Sequence, residues 1–164
     1  MDSVIAPMKR VFSLPLARKA RPKPNRPPVR ILFVDVGNAC RSQVAQAYGL
    51  LEGFHAESAG TFPSLDLDPM AVRVLREQGL DISGFRPKVL DVTRLGAYDR
   101  VILLGASLPQ AYRGLPQVQA WNVLDPHDLP YEAYIRMRDE CEAKVRALAR
   151  EYHVRPPEAL LLEA

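Results

Sequence analysis

Four apolar runs punctuate the chain, each followed by a segment of helical periodicity. Ile31–Val34 is continuously apolar, as expected for a strand buried on both faces. A helix is predicted from about Ser42, with Val44, Tyr48 and Leu51 on one stripe and Gly53 as its stop. His55–Gly60 reads as a second strand. Asp68-Pro69 then supplies an N-cap and a first-turn proline for a helix running to Gln78, with Ala71, Val74, Leu75 and Gln78 on its inner side. A short helical piece is expected at Asp91–Leu95, a third strand at Val101–Leu104 and a fourth at Gln117–Val123. A last helix starts near Asp128-Leu129-Pro130. Its stripe of Tyr134, Met137, Cys141, Val145, Leu148 and Tyr152 keeps steps of three and four.

Alternating strands and helices predict an α/β fold: a four-stranded parallel sheet with helices on both faces, in three layers. Ligands of such sheets bind at the carboxyl ends of the strands. A length of 164 residues suits one domain. The expected organisation is a tail over 1–29, a domain over 30–152 and an extension over 153–164.

Charge divides along the same boundary. Residues 1–29 carry seven Lys and Arg against one Asp, a net of +6, whereas the remainder carries −3. Six prolines and no periodicity make the tail a disordered, solvated extension by expectation, able to contact an acidic partner. The body is not basic, so a nucleic-acid surface is not indicated. No apolar run approaches the ~20 residues of a membrane span. Two cysteines 101 residues apart give neither a disulfide framework nor zinc-ligand spacing, and a cytoplasmic protein is expected. Neither a metal nor a cofactor is expected.

The chemistry concentrates where the first strand meets its helix. In ILFVDVGNACRS, Gly37 and Asn38 tolerate left-handed backbone, so successive N–H groups of Val36, Gly37, Asn38, Ala39 and Cys40 can converge on one point. The helix N-terminus adds partial positive charge, Arg41 a planar fork for oxyanions, and Ser42 a hydroxyl. Asp35, an anion, stands at the floor of this cradle.

The motif FV-x-x-GN-x-CRS resembles the low-molecular-weight protein tyrosine phosphatases and the related thioredoxin-coupled arsenate reductases. The likeness continues in order through ESAGT (Glu57–Thr61), Asp68–Leu90, YDRVILL (Tyr98–Leu104) and WNVLDP (Trp121–Pro126). It implies the following roles. Arg41 binds phosphoryl oxygens, Ser42 stabilises the thiolate, Asn38 shapes the loop, Asp125 is the general acid, and Phe62 and His127 wall the pocket. The family's nucleophilic cysteine lies six residues before the arginine, and here that position is Asp35. Cys40 matches the second loop cysteine, with Gln46 rather than an arginine six residues on. The further cysteines of the arsenate reductases have no counterpart in LLGASLPQAYRGL.

Two functions follow from the resemblance. The first is a non-catalytic, binding or regulatory phosphatase-like protein whose partner is a phosphoprotein or small anion. The second is a phosphomonoester hydrolase using Asp35 or a water, with Asp125 as acid. A redox protein working through Cys40 ranks below both. Loop N–H groups and Arg41 would favour ionised Asp35 and depress its pKa. At about 4 Å and an effective dielectric near 20, an ionised Asp35 opposes each phosphate charge by roughly 4 kcal/mol.

Overall fold

The computed structural model describes residues 12–13 and 27–157. The central sheet is built from β2 (Arg30–Asp35), β3 (His55–Gly60), β5 (Arg100–Leu103) and β6 (Val118–Ala120). Its order is β3-β2-β5-β6, and all three pairings are parallel. The predicted α/β fold with a four-stranded parallel sheet is therefore what forms. β2 is central and buried from Ile31 to Asp35, so its run has no polar alternation to show.

The two faces are covered unequally. One carries α1 (Arg41–Glu52), α2 (Pro69–Arg76) and α4 (Tyr131–Glu151), whose Val44, Tyr48, Leu75, Met137, Cys141 and Val145 meet Ile31, Phe33 and Ile102. The other buries Leu32, Val34 and Val101 under Leu95, Tyr98 and Leu108, contributed by the 3-10 helix Val92–Ala97 and the segment after β5. The helical stripes explain this choice: α4 turns its three-and-four pattern inward, and Met137, Cys141 and Val145 are fully buried.

Boundaries follow local chemistry. Gly53 closes α1 at φ 102, a conformation that glycine adopts without steric cost. Asp68 caps α2, its carboxylate accepting the Met70 N–H, with Pro69 in the first turn. That helix ends at Arg76, and Gln78, expected on the inner side, is exposed on the turn beyond. Helical periodicity does not extend past a helix that has already stopped. The short α3 (Gln110–Arg113) and β4 (Leu80–Asp81) were not expected; neither is long enough to show a period.

Of the basic tail, β1 (Phe12–Ser13) pairs in parallel with β4. Most of the tail lies outside the described residues, as does the end of the C-terminal extension beyond Pro157. The described start of that extension folds back, with Val154 N–H donating to the Ala149 carbonyl. Among the described residues no helix is long and apolar enough to cross a membrane.

Ile102 sits fully buried at the middle of the sheet. Ile102→Ala is expected to cost about 2–5 kcal/mol through lost burial and a residual cavity. Urea unfolding should show a lower midpoint with an unchanged slope. A loss below about 0.5 kcal/mol would contradict this packing.

Candidate active site

The loop between β2 and α1 is held from three directions. Its outer carbonyls are zipped to the segment after β3. Thr61 N–H donates to Asp35 O, Phe62 N–H to Val36 O, Ser64 N–H to Gly37 O and Asp68 N–H to Ala39 O, at 2.8–3.1 Å. Asn38 is the internal strut. It is fully buried and adopts φ 48, the left-handed region that asparagine tolerates better than most residues. Its amide Nδ2 donates to Ser42 Oγ at 2.8 Å, and its Oδ1 accepts the Lys88 N–H at 2.8 Å. Beneath it, buried Gln43 donates from Nε2 to the carbonyls of Asn38 and Arg86. The loop shape is thus fixed by its surroundings and needs no ligand to hold it.

Asp35 lies at the floor, 4% exposed. Its Oδ1 accepts the Asn38 N–H at 2.5 Å and its Oδ2 the Ser42 N–H at 3.0 Å. The carboxylate occupies the nest from inside. One expectation is overturned here. Burial pushes the Asp35 carboxyl above its ordinary value, and the two N–H bonds, the Ser42 hydroxyl and Arg41 only oppose that rise. Arg41, the smallest of these effects, is turned elsewhere: its Nη2 donates to Asp125 Oδ2 at 2.9 Å. The guanidinium also lies over Gly105, where a Cβ would come within 2.9 Å of Nη1. Gly105 has φ 78, so the close approach and the backbone both require glycine.

The structure brings Asp35, Val36, Gly37, Asn38, Ala39, Cys40, Arg41 and Ser42 into one turn, and adds Asp125 from 84 residues away through the Arg41 pair. Phe62, 81% exposed, joins the loop by its backbone alone. His127 N–H donates to Asp125 Oδ1, while its ring faces Asp128 rather than the loop. Cys40 is half-buried; burial, with Asp68 and Asp35 nearby, holds its thiol well above the ordinary range. Cys141 is fully buried and its thiol is pushed up to about 12 by burial. Neither environment favours a thiolate. Among the described residues no group of three or more His, Cys, Asp or Glu is placed to hold a metal ion.

Sequence reasoning did not find the roles of Ser64, Gln43 and Lys88. Two of these contacts use the residue's own backbone N–H, which no side-chain pattern marks. Two concave surfaces lie apart from the cradle: one lined by Glu57, Lys88 and Tyr98, the other by Val72, Arg73, Arg76 and Arg86.

The family model for the low molecular weight phosphotyrosine protein phosphatases matches residues 30–155, spanning every element of the sheet and the whole cradle. The chain belongs to that family. The chain is also similar to an arsenate reductase of Brevibacillus brevis, 32% identical over 126 residues that cover 73% of this chain and 92% of that one. The low molecular weight protein tyrosine phosphatase from T. tengcongensis superposes with a TM-score of 0.64 at 26% identity, over 75% of this chain and 99% of that one. An arsenate reductase solved in the phosphate binding state superposes with a TM-score of 0.66 at 27% identity, over 75% and 98%. The family's fold thus accounts for the described domain, and its relatives include both phosphatases and arsenate reductases.

Proposed function

We propose that this chain is a non-catalytic member of the family, in which Asp35 replaces the nucleophilic cysteine and serves as a built-in anion of the phosphate loop. Its role is to bind a small oxyanion or phosphorylated partner, or to regulate through such binding, in the cytoplasm. The observation that carries this reading is the pair of bonds from the Asn38 and Ser42 N–H groups to the two Asp35 oxygens. Donors that would cradle an attacking thiolate are already satisfied by a carboxylate. The Arg41–Asp125 pair supports the same reading. Asp125, at the family's acid position, is occupied by the guanidinium that would otherwise hold the phosphoryl group.

Thiol chemistry has little support beyond the names of the relatives. Both described cysteines sit where burial suppresses the thiolate, and the segment LLGASLPQAYRGL running from the end of β5 contains no cysteine. An arsenate reductase relative instead supports the ligand class, since arsenate and phosphate are both tetrahedral oxyanions.

Purified full-length protein is expected to give no turnover of an aryl phosphate above a no-enzyme control, with or without Mg²⁺. Turnover abolished by Asp35→Asn would establish the alternative, a hydrolase in which Asp35 or a water attacks phosphorus.

A further inference from the structure

The cradle is only partly filled. Asp35 takes the N–H groups of Asn38 and Ser42, while those of Gly37, Ala39, Cys40 and Arg41 meet no acceptor among the described residues. These are donors suited to an oxyanion at the start of a twelve-residue helix, with the Arg41 guanidinium close by. They surround a carboxylate that repels such a ligand by about a thousandfold per charge. A proton removes the conflict. A neutral Asp35 keeps accepting an N–H on its carbonyl oxygen and turns its hydroxyl toward the ligand.

We propose that the loop takes up a tetrahedral oxyanion together with one proton, which lies between an Asp35 oxygen and the ligand. This rests on the reading of the loop as a binding element and names what it binds and how pH controls it.

Asp35 is the carboxyl that the loop N–H groups meet, and the charged groups near it are engaged elsewhere. Arg41 at the start of α1 stays cationic. Cys40 beside it and Cys141 from α4 are held neutral by burial. Asp68, which faces Cys40, is committed to the α2 cap and to the Tyr134 hydroxyl, and Asp125 to Arg41. Burial already lifts the Asp35 carboxyl above its usual range, which brings protonation nearer to working pH. The sign is fixed. Above its pKa in the free protein Asp35 is ionised, and anion uptake has to bring a proton, so affinity falls about tenfold for each unit rise in pH. Below that pKa the proton is already in place and the dependence flattens.

Sulfate is the probe, because it remains a dianion where phosphate itself titrates. The full-length protein is titrated calorimetrically with sulfate from about pH 5 to 8, at constant ionic strength, in two buffers of different ionisation heat. The expected result is uptake of close to one proton per sulfate and about a tenfold fall in affinity per pH unit. Asp35→Asn should bind sulfate more tightly at neutral pH, with little pH dependence. Binding by the wild-type protein without proton uptake would overturn the proposal, and so would no sulfate binding at any pH. If Asp35→Asn does not fold, the wild-type proton count decides alone. Because sulfate is not turned over, this outcome is independent of the phosphatase assay: turnover of an aryl phosphate sinks the non-catalytic reading and leaves the proton count standing.

Discussion

Asp35→Cys is expected to turn this chain into a phosphatase, with a rate on an aryl phosphate at least about 10³-fold above that of the wild-type protein. The two N–H groups now on the carboxylate would point at the new sulfur, and with the helix N-terminus they lower a thiol pKa. The thiolate then meets a loop that Asn38 braces from within and that Ser64 and Lys88 hold from outside. Further donors are in place, the N–H groups of Gly37, Ala39, Cys40 and Arg41, and the Arg41 guanidinium stands on Asp125. Substrate phosphate competes with Asp125 for Arg41, freeing the carboxyl to pass a proton to the leaving-group oxygen as the S–P bond forms and the P–O bond breaks. Two further substitutions in the Asp35→Cys background divide the roles. Arg41→Ala should abolish the gain. Asp125→Asn should lower the rate about 10²–10⁴-fold, the range for a general acid. A folded Asp35→Cys protein without turnover would mean that the site departs from a working phosphatase at more than one residue.

Part of this site is legible in the sequence and part is not. The strand, the turn and the helix start around Asp35 were legible because each obeys a local rule: an apolar run, two residues that tolerate left-handed backbone, then a stripe. That Arg41 and Asp125 belong to one site was legible only through the family resemblance, since 84 residues separate them. The direction of the Asp35 pKa was not legible. A sequence lists the donors beside a carboxylate and does not give the depth of burial, and here burial prevails. Nor did it show where Arg41 would turn. The zipper from Thr61 to Asp68 was hidden for a different reason. It is made of backbone N–H and carbonyl groups, which every residue carries.

Asn38, which that zipper leaves out, is the residue whose loss should damage the loop most, because its side chain alone ties Ser42 to the Lys88 N–H. Asn38→Ala combines two costs. It forces an ordinary residue to φ 48, about 1–2 kcal/mol. It also removes the acceptor for the Lys88 N–H and the donor to Ser42, and each buried group left unpaired costs about 1–3 kcal/mol. Together they predict a loss of about 3 kcal/mol or more, a large share of the stability of a domain this size. Asn38→Gly separates the terms. Glycine adopts the left-handed backbone freely, so it should recover about 1 kcal/mol of the alanine loss while leaving the hydrogen bonds broken. Both variants should also weaken sulfate binding, because the loop N–H groups converge only when the turn is held. Equal losses for alanine and glycine would show that φ at Asn38 carries no cost. A loss below about 0.5 kcal/mol in both would show that the Asn38 side chain is no strut and leave the backbone zipper and Gln43 to support the cradle. A large loss of stability with sulfate affinity unchanged would assign Asn38 to the fold and detach it from the site.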